Sequence, residues 1–170
     1  QDTLFIYDDE SIELKYVLSS ENGNLINKSV IFSGNSYVSR HIFSINNDNF
    51  DPLGKLELFW DGGLRPTEER EDEDVQYVLA IVGQAEEIDD IHMNSPEKNI
   101  QRQIYNGNTD WVAVRTKYFI TGLILEEVQG LFGVLSAKNK LFGDRLHTPT
   151  YSMGIGLPFD VSNISSNIYL

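Results

Sequence analysis

Trp111-Val-Ala-Val-Arg-Thr-Lys-Tyr118-Phe119-Ile-Thr-Gly-Leu-Ile124 is the stretch whose reading decides the fold. Its first nine residues fall on two faces: Trp111, Ala113, Arg115, Lys117 and Phe119 on one, Val112, Val114, Thr116 and Tyr118 on the other. β-Branched and aromatic residues in such an order suit a pleated strand. The spacing predicts one extended run from Trp111 to Phe119, continued by Ile120–Leu125 past a break at Thr121-Gly122. An alternating strand buries one face, so the aromatics of this run are expected in the core.

The same period recurs on both sides. Ile12, Leu14, Tyr16 and Leu18 alternate with Glu13 and Lys15, and Asn22-Gly23 offers the positive φ of a tight hairpin. Leu25–Phe32 follows, then Tyr37–Ile45 with Tyr37, His41, Phe43 and Ile45 on one face. Leu56, Leu58 and Trp60 alternate up to Asp61-Gly62-Gly63; Gln76–Val82, Leu131–Ala137 and Tyr151–Leu157 read as further strands. Ser33-Gly34-Asn35, Asn46–Asn49 and Asp51-Pro52 punctuate the first half at intervals of roughly ten residues, as in a sandwich. Gly154 and Gly156 predict a bulge or a close backbone approach. Ser95-Pro96-Glu97 has the cap, proline and acid of a helix start, with Ile100 and Ile104 on one face and Asn106-Gly107-Asn108 as its end. The expectation is an all-β antiparallel sandwich with one or two short helices, forming a single domain over residues 1–170. Asp160–Leu170, rich in Ser and Asn, is only weakly patterned.

A chain of 170 residues can bury about 70% of its unfolded surface, so it folds without a metal or disulfide. It has no cysteine, which excludes a thiolate metal site and a cysteine nucleophile. Thirteen Lys+Arg against 26 Asp+Glu leave a net charge of −13, which repels phosphate backbones and excludes nucleic acid as a partner. No apolar run approaches the roughly 20 residues of a membrane span. The chain opens at Gln1 without a leader pattern, so a water-soluble, excised or processed piece is expected. Arg65–Asp74 reads as a solvated acidic loop and Glu86–Asp90 as a second acidic patch.

Chemistry is sparse. His41, His92 and His147 lack a second ligand at helical spacing, so no metal site is predicted. His41 reads as a packed strand histidine, and His92, beside Asp89 and Asp90, as a loop histidine. Nucleophile-elbow and phosphate-loop motifs are absent, and Gly154-Ile155-Gly156 runs into Pro158 instead of a helix. Asp72, Asp74 and Glu86–Asp90 carry enough oxygen for calcium but not the ordered loop spacing, so a solvated face is the simpler reading. The sequons at Asn27 and Asn163 are expected by chance in an Asn- and Ser-rich chain. No catalytic residue and no cofactor are assigned. Trp60, Glu68 and Arg115 are the candidates for a ligand cleft, Glu68 being the carboxylate of any sugar site.

The run from Trp111 to Ile124 resembles the signature strand of the large periplasmic domain of YidC-family membrane protein insertases: Trp-Val-Ala, a few polar residues, Tyr-Phe, then a small and apolar tail. Asn35-Ser-Tyr37-Val38 before Ile45-Asn46-Asn47 is similar to an earlier strand of that family, and Leu58-Phe-Trp60-Asp-Gly-Gly63-Leu64-Arg65-Pro66-Thr67-Glu68 resembles the segment that follows in part of it. Gly154 to Leu170 is similar to the approach to the family's short helices and second membrane span. Leu125 stands where members often carry proline, and the family's first strands are expected to precede Gln1.

The resemblance implies a β-super-sandwich like that of galactose mutarotase, on the periplasmic face of the bacterial inner membrane. It implies no enzyme but an accessory, chaperone-like module that touches Sec translocon subunits or nascent membrane proteins. The family's insertase groove, with its intramembrane arginine, belongs to membrane helices this sequence lacks, and Arg115 does not inherit that role. The alternative is a carbohydrate-binding or mutarotase-like protein, which needs a carboxylate base facing a histidine acid in a deep cleft, such as Glu68 with His41 or His147. A third reading is a β-sandwich adhesion or scaffold module.

Overall fold

The computed structural model describes residues 3–19, 25–45, 56–65, 76–93, 100–139, 141–142, 145–146, 149–158 and 163–169. Among these, every regular element is a strand. In chain order they are β1 (Ser11–Ser19), β2 (Leu25–Ser33), β3 (Val38–Ile45), β4 (Leu56–Trp60), β5 (Leu79–Gln84), β6 (Glu87–Ile91) and β7 (Ile100–Thr109). There follow β8 (Trp111–Arg115), β9 (Ile120–Glu126), β10 (Gly130–Lys138), β11 (Leu141–Phe142), β12 (Arg145–Leu146), β13 (Thr150–Leu157) and β14 (Asn163–Tyr169). An eight-stranded sheet runs β1-β2-β3-β14-β9-β8-β5-β6, a four-stranded sheet runs β4-β13-β10-β7, and β11 pairs with β12. All these pairings are antiparallel.

The two larger sheets pack face to face. Val82, Val112 and Leu123 are cross-strand neighbours on one face of the large sheet, as are Ala80 and Val114, and all five are buried. Leu135, Ala137, Tyr151, Met153 and Ile155 of the small sheet meet them in one apolar cluster. Each buried Val, Leu, Ile or Met side chain among them contributes about 1.5–3 kcal/mol through removal from water. A smaller cluster gathers Ile26, Phe43, Leu56, Leu58 and Leu125 around Leu157. The strands read at Ile12–Leu18, Leu25–Phe32, Leu56–Trp60, Leu131–Ala137 and Tyr151–Leu157 are found as β1, β2, β4, β10 and β13. The glycines of β13 mark close approach and not a bulge: its register against β10 is unbroken, while a Cβ on Gly156 would collide with the Phe132 ring.

Several expectations are corrected. The predicted helix around Ile100 and Ile104 is strand β7, paired along its length with β10. Residues four apart share a face in a strand as well as in a helix, so that spacing did not discriminate. Both isoleucines point outward, at 67% and 43% exposure, while Tyr105 on the opposite face packs on the core. The proposed start at Ser95–Glu97 lies outside the described residues.

The single run Trp111–Phe119 is instead a hairpin. The Thr116 amide donates to the Phe119 carbonyl at 2.8 Å, and the Thr116 hydroxyl accepts from the Phe119 amide at 3.1 Å. A threonine that closes a turn with its own side chain stops β8 at Arg115 and turns the chain into β9. Tyr118 and Phe119 therefore sit on a turn, more than half exposed, and not in the core. Two segments without a strand signal are strands. Glu87–Ile91 is β6, an edge whose charges face water, and Asn163–Tyr169 is β14, between β3 and β9. The predicted turns at Asn22-Gly23, Asn46–Asn49 and Asp51-Pro52, and the acidic run 66–74, lie outside the described residues.

Candidate functional site

Trp60 ends β4 and is half-buried against the core cluster. Its indole Nε1 donates to the Gly63 carbonyl at 3.3 Å, closing the Asp61-Gly62-Gly63 turn over the ring. Ser152 on β13 anchors that turn: its hydroxyl donates to the Asp61 carboxylate at 2.8 Å and accepts from the Gly62 amide at 3.3 Å. Gly63 has φ of +56°, and a Cβ there would lie 2.6 Å from the Tyr151 carbonyl oxygen and 3.4 Å from Val114 Cγ1. Only glycine fits this approach of the small sheet's edge to β8. Arg115, the residue after Val114, is exposed at the end of β8. Of the three cleft candidates, Trp60 and Arg115 are thus carried on different sheets, one packed inward and one in water, and Glu68 lies outside the described residues.

His41 lies within β3 at 8% exposure, with Nε2 3.1 Å from the Ser39 hydroxyl; Nδ1 has no hydrogen-bond partner among the described residues. Burial, reinforced by the nearby charge of Lys28, lowers its pKa to about 4. It is therefore neutral at neutral pH. Among the described residues no Asp or Glu is buried, so a carboxylate–histidine pair is not assembled around it there; His147 and Glu68 lie outside them. His92 follows β6 and is half-buried. No group of three His, Asp or Glu side chains converges as metal ligands among the described residues, which exclude Asp72 and Asp74.

Two surfaces were not anticipated from sequence. A solvent-open depression of about 440 Å³ lies between the β7–β8 and β9–β10 connections, with Asp110, Ile124, Glu127 and Gln129 in its wall. Asp110 organises it, accepting from the Ala85 amide at 2.8 Å and from Gln129 Nε2 at 3.0 Å. The second surface is the β8–β9 turn, where Lys117 Nζ lies 4.9 Å from the Tyr118 ring centroid and 5.7 Å from that of Tyr77. Both join residues from separate turns, which no local pattern links.

The YidC periplasmic domain family matches residues 3–157. The membrane protein insertase YidC of Chloroherpeton thalassium is 31% identical over 134 residues, covering 73% of this chain and 21% of the relative. The protein of the same name from Prosthecochloris aestuarii is 28% identical, covering 82% and 24%, and that from Chlorobium phaeovibrioides 26% identical, covering 95% and 27%. The chain spans about a fifth to a quarter of the length of these relatives. The antiparallel sandwich is consistent with that domain, whose place is the periplasmic face of the inner membrane. With a match over nearly all of its described strands, the chain belongs to the YidC periplasmic domain family.

Proposed function

We propose that this chain is a non-catalytic module of a longer membrane protein insertase, one β-sandwich domain preceded by further strands and followed by membrane helices. In this reading it assists insertion and folding through contacts with Sec translocon subunits or with emerging membrane proteins. The observation that carries it is the family match over residues 3–157, joined to relatives that share the insertase name and are several times longer. The surroundings of His41 favour the same side: its ring meets a serine hydroxyl and a lysine's charge, which suits packing better than proton transfer. Trp60, Glu68 and Arg115 remain proposed only as the ligand-cleft candidates of the carbohydrate alternative.

The test places a photo-crosslinking amino acid at Arg115, Tyr118 and Gln129 in turn, in the full-length parent within cells. Adducts with translocon subunits or nascent membrane proteins are the expected result. If no position labels either, while the parent still inserts its substrates, the contact role is wrong. Titration of the chain with galactose, read by shifts of backbone amide resonances near Trp60, examines the carbohydrate alternative; saturable shifts would favour it.

A further inference from the structure

β1 ends the eight-stranded sheet: it pairs with β2 in unbroken register from Ser11 to Ser19 and has no second strand beside it among the described residues. Its outward row of backbone N–H and C=O groups is a template for another strand. The devices that ordinarily blunt such an edge are missing. β1 holds no proline and no bulge, and its lysine, Lys15, is already met by Glu13 at 3.1 Å. The far edge of the sheet differs. β6 is five residues long and carries Glu87, Asp89 and Asp90 with no cation, so two copies of it repel. β1 carries one charge of each sign and exposes Tyr16, Val17 and Leu18 at 52%, 67% and 66%.

We propose that β1 pairs with β1 of a second copy of this chain, antiparallel and centred on Leu14, joining two eight-stranded sheets into one. The inference goes beyond the function proposed above and does not depend on it. Antiparallel pairing of a strand with its own copy needs a two-fold axis normal to the sheet, and the residue on that axis fixes every pair. With Leu14 on the axis, Glu13 faces Lys15 of the second copy and Lys15 faces its Glu13, while Ile12 faces Tyr16. Moving the axis to Glu13 or to Lys15 sets like charges against each other. Among the residues of the strand, only the Leu14 axis gives each charge its opposite, and opposed charges directly across a ladder stabilise it.

The other side of β1 agrees. Ile12, Leu14, Tyr16 and Leu18 lie on the face that continues, through the registers of β2, β3 and β14, into the core face at Leu123. Pairing about Leu14 therefore extends an apolar inner face and lays Tyr16 over Ile12 of the second copy. The net charge of −13 opposes association at a distance, but charges more than about 8 Å apart are largely screened at physiological salt. The acids of the preceding turn, Asp8, Asp9 and Glu10, fall beyond the two ends of the new ladder, where no acid of β1 opposes them. The pairing is weak, and its register is fixed by the two Glu13–Lys15 contacts.

The absence of cysteine makes the test clean, since one introduced thiol reports one contact. Leu14→Cys should oxidise to a disulfide-linked dimer, because the two copies of an axial residue lie about 5 Å apart. Ile12→Cys and Tyr16→Cys, roughly 13 Å from their own copies, should each stay uncrosslinked alone and crosslink when mixed. Sedimentation of the whole chain should show a monomer–dimer equilibrium. Glu13→Lys and Lys15→Glu should each raise its dissociation constant about tenfold. An equimolar mixture of those two variants should associate again, because every charge then faces its opposite. Urea midpoints confirm that the variants fold. A chain that stays monomeric up to its solubility limit overturns the proposal. So does self-crosslinking of Ile12→Cys as fast as that of Leu14→Cys, or a mixture no more associated than either variant alone. Leu14→Cys is then oxidised in the full-length parent in membranes, with other cysteines replaced by serine, and the same dimer is expected. A parent that forms none would assign the β1 edge to another segment or another protein, which also overturns the proposal.

Discussion

The indole of Trp111 lies against the bare Cα of Gly83, its cross-strand partner between β8 and β5; a methyl group built on Gly83 would overlap the ring atoms. Gly83 is buried beneath that ring. The glycine that looks like a weakness in a strand is here the seat of a tryptophan.

Gly83→Ala should accordingly destabilise the chain by about 1–3 kcal/mol, the usual cost of overpacking. In a Trp111→Ala background the same substitution should cost little, because the clashing ring is gone. Urea unfolding of the four proteins gives the coupling, and additive losses would show that the ring is not what excludes the methyl.

Tyr151 is 1% exposed, and its hydroxyl accepts a hydrogen bond from the Met93 amide at 2.8 Å, linking β13 to the second residue past β6. Tyr151→Phe keeps the ring but orphans a buried N–H, for an expected loss of about 1–3 kcal/mol. Hydrogen exchange at Met93 should accelerate more than exchange at Val112, in the middle of the same core. Equal acceleration at both would point to a global effect.

His41 should make stability pH-dependent. Its folded pKa of about 4 lies below the ordinary 6.5, so between those values the unfolded chain binds a proton that the folded chain does not. Stability is complete above pH 6.5, falls as the pH drops, and has lost this contribution, roughly 2–3 kcal/mol, by about pH 4. Carboxylates titrate in the same range, so the measured quantity is the difference between the parent and His41→Gln in urea unfolding at pH 7 and pH 4.5. The parent should lose more than the variant; equal losses would mean that the ring charges without penalty.

Asp110 holds two connections at once, through Ala85 and Gln129. Asp110→Ala should cost about 1–2 kcal/mol and speed amide exchange at Ala85, which sits at positive φ and donates to this carboxylate. Asp110→Asn keeps one oxygen acceptor and should cost less than alanine. If the two variants match, the carboxylate contributes nothing through these bonds.

Much of this architecture can be read along the chain, and the misreadings are instructive. Strands whose alternation is chemically clean, Leu56-Leu58-Trp60 for example, appear where the period places them. Ile100 and Ile104 satisfied two periods at once, and the ten backbone residues around them took the one that found a partner in β10. Thr116 reads as one more β-branched strand residue until its hydroxyl is seen to bond the Phe119 amide. The Asp110 depression left no local trace, because its wall is assembled from two connections and the end of β9, which meet only when the sheets form.

Side-chain order along 170 residues determined that the protein is β-rich and antiparallel, that it carries no thiol chemistry, and that it shares the Trp111–Ile124 pattern of its family. Period-two alternation says which side chains share a face, since that is a property of one strand's own backbone. It does not say which strand lies next door. The placing of Asn163–Tyr169 between β3 and β9 was decided by tertiary structure alone. Backbone N–H and C=O groups must find partners distant in sequence, and only the folded chain brings those partners within hydrogen-bonding reach.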